Sequence, residues 1–185
     1  MKKIIWVVAM VSLFLTGCFL PEKFESKIDI KKDGSYTLTY NGTIVDIGAL
    51  DKKPTPKEEK RLAAFVKKMK KDPSVKEAKY LGNGRYQIVT KEDKKAGQRG
   101  NIMDFIKVIP KGKTIHIISH KAKKRDLKEL KKLNAKIDGK LIISIPDNMK
   151  FEGTKPDSTP TLGFGNYEWN IDSFGKDINI KVVPK

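Results

Sequence analysis

The sequence is poor in the residues that most site chemistry requires. It has one Cys and two His in 185 residues. A single Cys excludes an internal disulfide, a CxxC redox pair and a Cys-rich zinc site, and two His leave little for a multi-histidine metal centre. Acids are scarce beside bases, 22 Asp plus Glu against 39 Lys plus Arg. Long apolar runs are missing as well: the longest runs from Ile4 to Leu15, broken only by Ser12, and is about a dozen residues, whereas a helix needs roughly 20 to span a bilayer. With 38% hydrophobic residues, the chain is too apolar to be disordered and of a length for one modest domain.

Lys2 and Lys3 precede the apolar run, and Thr16-Gly17-Cys18 end it. A charged segment, a short apolar segment and small residues make a signal-peptide layout. Leu15-Thr16-Gly17-Cys18 resembles the lipobox of bacterial lipoproteins. The resemblance implies that the Cys18 thiol carries diacylglycerol, with chains such as palmitate, that the bond before it is cut, and that the new amino group is acylated. Two or three acyl chains anchor stably where one is marginal. The expected organisation is signal peptide 1–17, lipidated tether 18–23 and a single domain 24–185, anchored in the bacterial cell envelope. Because Phe19 rather than Asp follows the Cys, the family's sorting rules would place it on the outer membrane, facing the periplasm, in a Gram-negative host.

Cleavage removes Lys2 and Lys3, so the side-chain charge falls from +17 to +15. Residues 18–50 carry 4 Lys and 5 acids, and residues 133–185 carry 7 Lys and 7 acids. The stretch 51–132 therefore holds +16, which is +15 less the −1 and 0 of the two ends. Its densest cationic pieces contribute Lys67, Lys68, Lys70, Lys71, Lys121, Lys123, Lys124, Arg125, Lys128, Lys131 and Lys132. Such asymmetry creates a field that attracts anions within about 8–10 Å in physiological salt. Lys far outnumbers Arg, which suits diffuse attraction to a phosphate-rich surface better than bidentate base reading.

Periodicity predicts an α+β domain, a two-layer sandwich with a largely antiparallel sheet of about eight strands and two helices. Phe24 to Lys31 and Ser35 to Tyr40 alternate with period two around Asp33-Gly34, a hairpin. Thr55-Pro56-Lys57-Glu58 fits a capping box with Pro at the first helical position, and Leu62, Phe65, Val66 and Met69 give the apolar stripe that follows. Further hairpins are expected around Gly82-Asn83-Gly84 and Pro110-Lys111-Gly112-Lys113. A polar loop is expected over 92–100, and a short helix through Leu127, Leu130 and Leu133. A strand over 140–145, an irregular crossing over 147–166 and closing strands at 167–171 and 178–182 complete the expectation.

Motifs for chemistry fail on their spacing. Gly82-Asn83-Gly84 has Gln87 where a dinucleotide-binding loop needs its third Gly, and it lies in a hairpin; Gly163-Phe164-Gly165 has Glu168 there. Gly112-Lys113-Thr114 resembles the end of a phosphate-binding loop whose first Gly would be Lys107. His116 and His120, four apart on a strand, are separated by about 13 Å and cannot share a metal from it. There is no GxSxG elbow. Glu58-Glu59 and Glu92-Asp93 are adjacent and point apart. No cofactor or metal is expected.

Ile142-Ile143-Ser144-Ile145-Pro146, the loop onward to Gly165, and Tyr167-Glu168-Trp169-Asn170-Ile171-Asp172, after a lipidated Cys and an early hairpin, resemble the LppM-like domain of bacterial lipoproteins. That resemblance covers about a third of the chain and implies an envelope lipoprotein with an α/β sandwich and no enzymatic activity.

The expected function is thus a lipid-anchored, non-enzymatic lipoprotein whose basic region 51–132 docks on anionic phospholipid, an envelope polymer or an acidic envelope protein. Nucleic acid, for which no module is present, is a poor fit. The alternative expectation is an envelope hydrolase or carbohydrate-modifying enzyme with a site assembled from distant Asp, Glu and His.

Overall fold

The computed structural model describes residues 19–120, 122–160 and 166–185. The segment Leu15 to Cys18, expected to be a lipobox, and Lys121 and Gly163-Phe164-Gly165 lie outside the described residues. The fold is α+β, as the periodicity predicts.

Strands β1 (Phe19–Ile30) and β2 (Tyr36–Asp46) form the first hairpin, turned by Gly34 at φ +80°. Helix α1 (Ile47–Asp51) is a single turn capped by Asp46, whose carboxylate accepts from the Gly48 N–H at 2.9 Å. Helix α2 (Pro56–Met69) carries the expected capping box: the Thr55 N–H donates to Glu58 Oε2 at 2.8 Å and the Glu58 N–H reaches Thr55 Oγ1 at 3.4 Å. β3 (Val75–Gly82) and β4 (Arg85–Lys94) follow as the second hairpin. Then come β5 (Gly100–Ile102), β6 (Ile106–Lys111), β7 (Thr114–Ser119) and helix α3 (Lys124–Lys132). The chain ends with β8 (Asp138–Ser144), β9 (Met149–Gly153), β10 (Tyr167–Ile171) and β11 (Asn179–Pro184).

These strands make two sheets instead of one, in the orders β10-β8-β1-β2-β4-β3 and β5-β6-β7-β11-β9. The only parallel pairing among them is β1 with β8. Period-two alternation fixes which side chains face inward, but not which strand lies beside which. Both sheets turn an apolar face to one core: Ile28, Leu38, Tyr40, Ile88, Leu141, Ile143 and Trp169 from the first meet Ile106, Val108, Ile117, Ile180 and Val182 from the second. α2 covers the remainder of the first sheet's inner face. Phe65 lies 5.6 Å from the Phe19 ring and 6.3 Å from that of Tyr86, whose hydroxyl donates to Leu62 O at 3.0 Å.

Two glycines let β1 sit tightly between its neighbours. A Cβ on Gly139 would fall 2.3 Å from the Phe24 ring, and one on Gly42 would fall 2.3 Å from Lys23 O. Phe24 thereby stacks on Tyr40 with centroids 5.4 Å apart. Beside it Ser26 is fully buried, and its hydroxyl has no hydrogen-bond partner among the described residues.

Other local expectations need correction. Residues 19–23 belong to β1 and not to a tether, since Phe19, Leu20 and Pro21 pair with Asp46, Val45 and Ile44. β4 runs through Lys94 into the expected 92–100 loop because β2 pairs with it as far as Tyr36. The strand expected from Ile102 to Ile109 breaks into β5 and β6 at Met103 and Asp104, both at positive φ. β9 occupies part of the expected irregular crossing, held by its pairing with β11.

Candidate functional site

The pairing sorts the chain into two ends. At one end β1 starts at Phe19, opposite Asp46, and the β3–β4 turn lies at Asn83. The first turn of α2 is fixed there, because the Glu59 carboxylate accepts from the Tyr80 hydroxyl at 2.6 Å and from the Asn83 N–H at 2.9 Å. β8 begins there too, with Asp138 opposite Lys23. At the other end are the β1–β2 turn, the C-terminus of α2, and Lys94 of β4 opposite Tyr36.

Helix α3 leads into β8 at the Phe19 end. Leu127, Leu130, Lys131, Ala135, Lys136 and Ile137 face Glu22, Lys23, Thr43, Arg85 and Phe174 across a groove of about 950 Å³. Arg85 forks onto Glu22, with Nε and Nη2 each 2.9 Å from a carboxylate oxygen. Bidentate charge-assisted pairs are short and directional, so this fork fixes the strand ends that form the groove wall.

The sequence explains why α3 is there and what it presents. Leucines at 127, 130 and 133 make a narrow seam, all half-buried, and no residue of the helix is fully buried. Its N-cap, Lys123, makes no side-chain cap bond. From Ala122 to Asp138 the chain has seven cations and three acids. Lys123, Lys124, Arg125, Lys128, Lys131 and Lys132 are exposed. Of these, Lys132 pairs with Glu129 at 2.8 Å and Arg125 lies 3.6 Å from Asp126.

Lys67, Lys68, Lys70 and Lys71 are also exposed, but they occupy the last turn of α2 and its exit, at the far end. Lys68 sits 5.4 Å from the Phe65 ring centroid. Lys71 lines a second cleft of about 940 Å³ with Thr90 to Lys94. Arg85, in the first groove, and Lys91, in the second, are six residues apart on one strand, or about 20 Å. The two lysine-rich runs that sequence counting joins into one region are therefore separate surfaces at opposite ends.

Strand pairing also recruits cations that counting did not single out. Lys23, Arg85 and Lys136 join the α3 groove, and Lys91, Arg99 and Lys107 join the far cleft. Only the pairing register could have revealed them. One apolar signal lies at the Phe19 end: Leu81, next to the β3–β4 turn, is 48% exposed and is the one large hydrophobic side chain so exposed among the described residues.

His116 lies in β7, where burial and the cations Lys111 and Lys181 lower its pKa. His120 follows the strand, its N–H donating to Phe105 O at 2.6 Å. Among the described residues no three His, Cys, Asp or Glu side chains are placed to hold a metal ion, and no helix is long and apolar enough to cross a membrane. Compared with known proteins, the chain matches no family model and no curated protein.

Proposed function

We propose that this protein is a lipid-anchored, non-enzymatic envelope lipoprotein whose helix α3 docks on the anionic surface of the membrane that holds its anchor. The observation that carries this reading is positional. Cys18 is bonded directly to Phe19, the first residue of β1, so an acylated Cys18 lies within one Cα step, about 3.8 Å, of the sheet end where α3 displays its cations. The exposed Leu81 at that end favours the same orientation.

Two signals of different kind then act on one face. Acyl chains supply the hydrophobic attachment, and each Lys or Arg held near an anionic leaflet adds about 1 kcal/mol. Docking would fix the tilt of the domain, because β1 leaves almost no slack between anchor and fold. In a Gram-negative host the outer membrane's periplasmic leaflet is the surface concerned.

Cell fractionation of Cys18→Ala, with incorporation of labelled palmitate, tests the anchor. The wild-type chain is expected in the membrane fraction carrying label, and the variant in the soluble fraction without it. A variant that stays in the membrane fraction, or a wild type that takes up no label, contradicts the proposal.

A further inference from the structure

The far cleft takes no part in membrane docking as proposed above. One wall is the α2 exit, Lys71 to Ser74, with Lys76 of β3 and Thr90 to Lys94 of β4; the other is Arg99 to Asp104 with Lys107 to Ile109, on and around β5 and β6. Between them the floor is apolar, with Leu38, Ile102 and Val108 buried and Met103 and Ile109 half-buried.

Charges in this cleft are unevenly satisfied. Each of its four acids is already held by a neighbour. Asp72 accepts from the Ser74 N–H at 2.9 Å and the Ser74 hydroxyl at 2.7 Å, Asp93 accepts from the Thr37 hydroxyl at 2.6 Å, Glu92 pairs with Lys94, and Asp104 accepts from the Asn101 amide. Lys71, Lys91, Arg99 and Lys107 are exposed and form no ion pair among the described residues. Lys71 and Arg99 flank the floor, while Lys91 and Lys107, which alternate with the inward Glu92 and Val108, stand on the outer rim, Lys91 beside Asp93. Cations without ion pairs around an apolar floor call for an anion that also carries apolar groups.

Backbone groups add direction. The Lys91 N–H still reaches Ser74 O at 2.8 Å, but β3 begins only at Val75, opposite Thr90, whereas β4 continues to Lys94 with β2 alone beside it. Beyond Lys91 one residue of β4, Asp93, turns its N–H and C=O toward the side that β3 has left, for the strand ends at Lys94 and the Lys95 N–H is held by Gln98 Oε1 at 2.9 Å. A short stretch of extended chain can pair with Asp93 there. At the rim, Met103 and Asp104 hold φ of +53° and +54°, a conformation Met rarely takes, and strain of this kind clusters at ligand sites.

We infer that this cleft binds an extended acidic peptide segment of a partner protein, crossing the end of β4 at Asp93 with carboxylates on Lys71, Lys91, Arg99 and Lys107 and an apolar side chain against Met103 and Ile109. A phosphate polymer fits less well: charged at every repeat, it would meet the four acids as well as the cations, and it would leave the apolar floor uncovered. The inference is independent of the lipid anchor.

Fluorescence anisotropy of a labelled ten-residue Glu/Leu peptide, added to the full chain in detergent, tests it. Binding that weakens with salt is expected. Lys91→Glu with Lys107→Glu should reduce affinity about tenfold or more while leaving the thermal midpoint unchanged. The same two charge reversals on α3, Lys124→Glu with Lys128→Glu, should leave affinity as in the wild type. The inference is overturned if the Glu/Leu peptide does not bind, if the cleft variant binds as well as the wild type, if the α3 variant loses as much, or if a Gln/Leu peptide or polyphosphate binds equally tightly.

Discussion

Helices α2 and α3 are both rich in lysine, yet they are tied to the fold differently. α2 has a side-chain N-cap, Pro in its first turn, and Leu62 and Met69 buried in the core. Its lysines are the wet side of a structural helix. α3 has no side-chain cap and buries no residue completely, yet the stretch from Ala122 to Asp138 holds seven cations against three acids. A helix whose leucines are only half-buried contributes less to stability than one with buried core residues, and under the docking proposal its cationic surface is what it contributes. Richness in lysine alone therefore does not distinguish the two helices; the packing of the opposite face does.

That contrast can be attacked through stability. Leu62→Ala, which empties a core position under α2, should cost about 2–5 kcal/mol, read as a fall in the urea midpoint. Leu130→Ala, at the equivalent inward position of α3, should cost only about 1 kcal/mol, because its side chain is half-buried. Equal losses at the two sites would erase the difference between the helices.

The caps offer a finer probe. Thr55→Ala should destabilise by about 1 kcal/mol, while Lys123→Ala, where no side-chain cap bond exists, should be close to neutral. Acid should act on the same cap. Hydrogen bonds from the Thr55 N–H and hydroxyl hold Glu58 below its usual carboxylate range. A depressed folded-state pKa means that the contribution is present above the ordinary glutamate range, near 4.3, and is lost as pH falls through the lower folded value. Backbone chemical shifts of residues 55–59 should lose helical character over that fall, and those of the first turn of α3 should change less.

Much of this architecture was legible because short-range signals coincide. Thr55-Pro56-Lys57-Glu58 specifies a helix start through atoms three residues apart, and Gly82-Asn83-Gly84 between two alternating runs specifies a hairpin. Long-range choices left no such mark. β8 joins β1 in parallel across more than a hundred residues, and β9 is a five-residue strand among Pro and Gly that becomes a strand only by pairing with β11. The surfaces suffered most from this. Lys71 and Lys131 are both lysines on helix ends in sequence; their assignment to opposite ends of the molecule depends on where β1, β4 and β8 begin.

The most direct measurement places one fluorophore at each surface of the lipidated full-length protein, through Lys128→Cys on α3 or Lys68→Cys on α2, in vesicles carrying a headgroup spin label. Docking through α3 predicts strong quenching at position 128 in anionic vesicles, relieved by salt and weak in neutral ones, with little quenching at position 68 under any condition. Equal quenching at both positions, or quenching at position 128 that ignores lipid charge and salt, would contradict it.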